Sequence, residues 1–167
     1  MKRLLFIIFV FVLSCSKENI EKINIEKISD RGAIYSISEF LDAGFKKNKE
    51  YKTDDLPASN SAYFGFMKNN LGEPKDYEIR FYDSHQDAIN LGKEYADNIS
   101  GENGCISKDC ALWKDGIKDR IRMSDLGTLH PKYMDYIIYD NFILFCPGYD
   151  EREAKLNCNF VIENIKN

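Results

Sequence analysis

Basic patches, cofactor signatures and long apolar runs are all scarce in these 167 residues. Lys and Arg number 23 against 27 Asp and Glu, a formal charge of −4. That balance argues against nucleic acid as a partner, because duplex binding neutralises phosphates with clustered cations. Histidine occurs only at His85 and His130, neither in a ligand spacing such as H-E-x-x-H, so both read as surface or capping side chains. The P-loop, G-x-G-x-x-G, G-x-S-x-G and EF-hand patterns are missing; no cofactor and no metal is expected. The run Leu4 to Leu13 is the longest apolar stretch, and it falls well short of the roughly 20 residues a membrane-spanning helix needs.

That run has a different use. Met1-Lys2-Arg3 precedes it and Ser14-Cys15-Ser16-Lys17-Glu18 follows. A basic start, a short apolar stretch and a small residue at the boundary are the parts of an export signal that is cut away, here residues 1–14. The residues Val12-Leu13-Ser14-Cys15 resemble the lipobox of bacterial lipoproteins. The resemblance implies that Cys15 receives a diacylglycerol thioether, becomes the mature N-terminus and meets the membrane through that lipid. It also implies that Ser16, standing where an aspartate would retain the protein, suits transfer to an outer membrane if the cell has one. The expected location is therefore the extracytoplasmic side of a cell membrane or outer membrane. Loss of residues 1–14 leaves 21 basic against 27 acidic residues, a charge of −6, which argues against a polybasic membrane clamp beside the lipid. Residues 15–31, polar and charged with neither Gly nor Pro before residue 32, read as a tether, with Ile20, Ile23 and Ile28 spaced for a short helix.

Five cysteines is an odd number for an exported protein. Assigning Cys15 to lipid leaves Cys105, Cys110, Cys146 and Cys158, an even set, which an oxidising compartment favours as disulfides. Four cysteines allow three connectivities; the expected one is Cys105–Cys110 with Cys146–Cys158. The second pair meets a geometric objection. A helix starting at Glu151 would carry Cys158 about 12 Å along its axis at about 1.5 Å per residue, farther than bridged Cα atoms stand. The rival is a metal site of Cys105, Cys110, Cys146 and His130, against which the spacing and the export route both speak.

Within 32–167 the chain reads as one α+β domain. Ser36 and Glu39 fit a capping box for a helix over 38–48, and "YKTDDLPASN" reads as a loop. Two aromatic-rich runs flank "KNNLGEPKD", a hairpin. The next helix places Ala88, Gly92, Tyr95, Ala96 and Ile99 on one face, with Asp83 or Ser84 as its cap. Strands over 133–139 and 142–146 turn at Asp140-Asn141, a pair that tolerates positive φ. A last helix, capped by Asp150 and Glu153, aligns Ala154, Cys158, Val161, Ile162 and Ile165. The order is α-ββα-ββα with a cysteine-looped insertion near 100–130, anchored by Trp113. The simplest packing is a small two-layer domain: a four-stranded antiparallel sheet of two hairpins, with two to three helices on one face.

Eleven aromatic residues fall on these strands, and half of them must face away from that helix layer. Glu78, Arg80 and Tyr82 alternate onto that second face and form the candidate ligand face, since exposed aromatic sheet surfaces mark protein or carbohydrate partners. The alternative is that the insertion at 100–130 or the N-terminal helix covers them. The acidic pairs Asp54-Asp55 and Glu151/Glu153 have the residue types of a carboxylate hydrolase but read as solvated surface, and "KDGIKDRIR" reads as a mixed-charge face. The leading expectation is a lipid-anchored, extracytoplasmic binding or interaction module without catalysis. An envelope hydrolase and a structural accessory subunit of an envelope complex are the alternatives.

Overall fold

The computed structural model describes residues 26–166; the signal segment and Cys15 lie outside the described residues. The chain is α+β, but its sheet has six strands rather than four and is mixed rather than antiparallel. The strands are β1 (Ile28–Ser29), β2 (Lys46–Tyr51), β3 (Ser59–Lys68), β4 (Pro74–Tyr82), β7 (Tyr133–Tyr139) and β8 (Phe142–Pro147), in the order β1-β7-β8-β4-β3-β2. A separate two-stranded hairpin pairs β5 (Ile121–Met123) with β6 (Leu129–Pro131). Among the described residues no helix is long and apolar enough to cross a membrane.

Both expected hairpins are present. β3 and β4 pair from Ser59↔Tyr82 to Lys68↔Pro74, and β7 and β8 turn at Asp140-Asn141, where Asp140 has φ 46°. The two additional strands come from segments whose sequence hides them. Ile28 and Ser29, assigned to the tether, pair in parallel with Ile138 and Tyr139, and Lys27 reaches Asp135 at 2.7 Å. The helix expected over 38–48 is α1 (Ile37–Asp42) alone. The Ser36–Glu39 capping box starts it as expected, but Gly44, at φ 100°, turns the chain into β2. Lys46-Lys47-Asn48-Lys49-Glu50 shows no alternation because β2 is an edge strand, exposed along most of its length. Its lysines and the register shift between Lys47 and Lys49 are the devices that keep an edge from recruiting another chain.

Helices cover both faces of the sheet, not one. Along β4, Tyr77, Ile79 and Phe81 point into a core with Phe40 of α1 and with Ala154, Cys158, Val161, Ile162 and Ile165 of α4 (Glu151–Ile165). Tyr82 and, from β8, Ile143 and Phe145 point to the other side, onto Ala88, Ala96 and Ile99. These last belong to a continuous helical segment: α2 (His85–Asp87), a π-helical stretch (Ala88–Gly92) and α3 (Lys93–Ile99). Ser84 caps it through the Asp87 N–H. Gly92 is required there, since a Cβ would stand 2.6 Å from the Tyr82 ring and 2.7 Å from Ile143 Cδ1. The apolar runs Tyr136–Tyr139 of β7 and Phe142–Cys146 of β8 record this arrangement, because strands buried on both faces lose their alternation.

Cys105–Cys110 and Cys146–Cys158 pair as disulfides, with Cα separations of 5.7 and 5.3 Å, so their sulfurs are bonded to each other. The second bridge closes although α4 does begin at Glu151. Residues 148–150 carry the chain past the end of β8, and α4 then runs back against the sheet, which returns Cys158 to the level of Leu144 and Cys146. Loop-closure entropy assigns about 2 kcal/mol to the six-residue loop and about 3 kcal/mol to the thirteen-residue one. Urea unfolding of the Cys105→Ala/Cys110→Ala and Cys146→Ala/Cys158→Ala variants should return losses in that order, the second enlarged because both of its cysteines are buried.

Candidate functional site

Glu78 and Arg80, two apart on β4, share the face opposite α4, as the alternation requires. Instead of an open face, the structure places them, with Tyr82, in the interior. All three are fully buried, because the insertion and the 85–99 helical segment cover that side of the sheet. The insertion also supplies what the pair lacks. Arg120, on the 3₁₀ turn Ile117–Arg120, is fully buried and donates to both Glu78 oxygens, from Nε to Oε2 at 2.7 Å and from Nη2 to Oε1 at 3.1 Å. Its Nη1 donates to the Trp113 carbonyl at 3.1 Å. Arg80 donates from Nε to Glu78 Oε1 at 2.8 Å.

The Trp113 ring lies 4.8 Å from the Arg80 guanidinium and 4.5 Å from that of Arg120. Tyr51 meets the ring edge-on at 5.6 Å. Trp113 packs at the sheet edge as expected, against Tyr51 of the edge strand β2 and Ala62 of β3, and it also covers the charge cluster.

Burial alone would raise the Glu78 carboxyl; the Arg120 and Arg80 guanidinium groups outweigh it and hold the carboxyl below the ordinary range. Burial also lowers Arg120, but Glu78 more than offsets that, whereas Arg80 stays below its usual value. One carboxylate thus faces two cations, Arg80 at 2.7 and 2.8 Å and Arg120 at 2.7 and 3.1 Å. Among the described residues, Arg80 Nη1 and Nη2 make no hydrogen bond, although Nη2 forms an ion pair with Glu78 Oε1 at 2.7 Å. Burial pushes the neighbouring Tyr82 phenol up to about 12. The cluster is a sealed structural core with a net positive charge, inaccessible to a ligand unless Trp113 moves.

The other candidates are dispersed. His85 Nδ1 lies 2.7 Å from the Asp140 carbonyl oxygen; His130 sits on β6 opposite Arg122. Asp54 and Asp55 border a surface depression with Lys49, Lys52 and Asp115. Asp150 caps α4, and Glu153 accepts from the Tyr149 N–H and pairs with Lys75 at 3.0 Å. In "KDGIKDRIR", Asp115 accepts from the Lys52 N–H and Asp119 from the Tyr51 hydroxyl. That segment is the underside of the insertion, not a mixed-charge face alone.

An open cleft of about 290 Å³ lies at the end of the sheet where β4 begins and β8 ends. Its walls are the start of β4 (Pro74, Lys75, Asp76), the end of β8 and the two residues after it (Pro147, Gly148, Tyr149), and two cations, Arg122 on β5 and Lys132 just after β6. Arg122 stacks 4.8 Å from the Tyr149 ring and donates from Nε to the Pro131 carbonyl at 3.2 Å. Lys132 pairs with Asp76 at 2.7 Å. An aromatic face, a guanidinium and carboxylates here meet solvent together, which the buried cluster does not allow. Sequence reasoning left Arg122 in the mixed-charge face of "KDGIKDRIR" and passed over Tyr149. The available signal was an aromatic residue directly after the Pro147-Gly148 strand break, a position where a ring has no sheet to pack on.

A family model matches residues 36–167, the family of unknown function DUF6810. The chain belongs to DUF6810. The matched region starts at the α1 cap and takes in both hairpins, the insertion and α4, so the buried cluster and the cleft both fall inside the DUF6810 region. No curated protein and no solved structure matches this DUF6810 chain.

Proposed function

We propose that this DUF6810 protein is a lipid-anchored binding module on the extracytoplasmic side of a bacterial cell membrane or outer membrane, and that it meets its ligand at the Arg122–Tyr149 cleft. The observation that carries the site is Tyr149, 75 % exposed beside the cleft and backed by a stacked guanidinium. A cation held against an aromatic face adds a polar contact to an apolar one, and the paired Lys75 and Lys132 beside it supply both signs of charge. Such a wall suits an envelope carbohydrate or a peptide segment. The two disulfides accord with an oxidising compartment, and the lipobox-like residues at Cys15 supply the anchor.

The anchor and the site have separate tests. Cells fed a palmitate analogue should label the wild-type protein and leave Cys15→Ser unlabelled; equal labelling sinks the anchor. In a pull-down from envelope extract, Tyr149→Ala should retain at least tenfold less of whatever the wild type captures, with its thermal transition unchanged. Undiminished capture by that variant removes the cleft from consideration.

A further inference from the structure

The cleft end of the sheet is also where the exposed apolar side chains gather. Of the five most exposed large apolar residues among those described, four lie at this end: Leu126 at 94 %, Leu71 at 76 %, Tyr149 at 75 % and Met123 at 70 %. The fifth, Ile34, stands at the opposite end near Asn141. Leu71 occupies the β3–β4 turn, and Leu126 the turn of the β5–β6 hairpin, which is closed by the Ser124 N–H to the Thr128 carbonyl and by Gly127 at φ 80°. Leu129, on β6 beside that turn, is exposed as well. Single exposed apolar residues are ordinary on a protein surface; several on adjoining turns at one end mark a contact surface.

The direction of the chain says what that surface meets. β1 runs parallel to β7, Ile28 beside Ile138 and Ser29 beside Tyr139, so the chain upstream of Ile28 points toward Tyr133. Tyr133 follows β6 with Lys132 between them, at the end that carries the hairpin. From Cys15 to Glu26 the chain spans at most about 40 Å when fully extended. A lipid on Cys15 would hold the domain within that distance of a bilayer, with these turns on the membrane side.

We propose that Leu126, Met123 and Leu71 dock this end of the domain onto the bilayer surface, placing the Arg122–Tyr149 cleft at the level of the lipid headgroups. The proposal rests on the anchor reading above, because tethering raises the effective concentration of the turns at the surface and allows a shallow insertion to suffice. The attraction is apolar rather than electrostatic. Lys75 is paired with Glu153 and Lys132 with Asp76, and the mature chain carries a charge of −6. Docking should therefore be indifferent to anionic lipid and to salt, unlike that of a polybasic segment.

The experiment uses the full mature lipoprotein reconstituted in phosphatidylcholine vesicles, with its disulfides oxidised and an environment-sensitive fluorophore on Leu126→Cys. A second protein carries the label on Lys47→Cys, on the edge strand. The label at 126 should be blue-shifted and quenched by lipids spin-labelled near the headgroup, and the label at 47 should report water. Added phosphatidylglycerol or high salt should leave both unchanged. Moving the label to Leu71→Cys should give the same shift, and Leu126→Asp should reverse it. A label at 126 as wet as that at 47 overturns the docking. So does a shift that needs anionic lipid, or one that arises only when envelope proteins are added, which would assign the surface to a protein partner. Failure of the anchor is read separately, as unchanged palmitate labelling of Cys15→Ser.

Discussion

Glu78→Gln is expected to lower the unfolding free energy by about 3–5 kcal/mol, the usual cost of removing one partner from a buried ion pair. The amide keeps the shape of the side chain and removes the negative charge that pairs with both buried guanidinium groups. Neither arginine can escape by losing its proton, so the penalty falls on the fold. It is the cost of breaking the cluster and not the worth of forming it; exchanging all three charged residues for apolar ones of similar volume can cost far less.

The pH dependence has a definite sign. The folded-state carboxyl lies below its unfolded value, which is about 4.3. Its contribution is fully present above that value and is lost as the pH falls through the folded one. Urea titrations of wild type and variant from neutral pH into acid should show a gap that narrows in acid; a gap constant with pH would remove the charge from the explanation.

Trp113→Ala should cost a similar amount, about 3–5 kcal/mol, as large-to-small changes of buried aromatics do. Three losses combine: the edge-on contact with Tyr51, the ring over the two guanidinium groups, and the packing that keeps water from Glu78. The third makes the two variants non-additive. Once water reaches the cluster, the unpaired charges of Glu78→Gln are partly solvated, so the double variant should be less destabilised than the two single losses together. A strictly additive result would show that the ring and the carboxylate act independently. Because Trp113 is the only tryptophan, its emission in Glu78→Gln reports directly whether the insertion has loosened.

Much of the core was legible because it depends on local rules. The Ser36–Glu39 box, the Asp150 cap, the Asp140-Asn141 turn and the α4 stripe from Ala154 to Ile165 each follow from neighbours within a few residues, and each is found where expected. The errors are non-local. β1 is two residues paired with a strand more than a hundred positions away, and β2 is a run of lysines that only its position at an edge explains. Placing all helices on one face failed for the same reason, since YIIY and FILF report burial on two sides only once the period is seen to be missing.

Glu78, Arg80 and Tyr82 share one face of β4 as the alternation requires, but that face is buried, the alternative to an open ligand face. Glu78 and Arg80 on a strand in the middle of the sheet call for a third, charged partner, and Arg120 was hidden in a stretch whose other charges are mostly exposed or half-buried. Arg122 and Tyr149 come together only through the fold, at the junction of two turns that sequence does not place side by side.

The parallel pairing of β1 has a mechanical meaning. Any pull on the chain upstream of Lys27 is directed along β1 and loads it in shear against β7. The Ile138 N–H to Lys27 carbonyl bond, the Asp140 N–H to Ser29 carbonyl bond and the Lys27–Asp135 pair share that load at once. The force then enters the β7–β8 hairpin, which the Cys146–Cys158 bridge ties to α4. Under the proposed anchor the protein would be gripped at strands buried on both faces, while β2, at the far edge of the sheet, lies outside the line of tension.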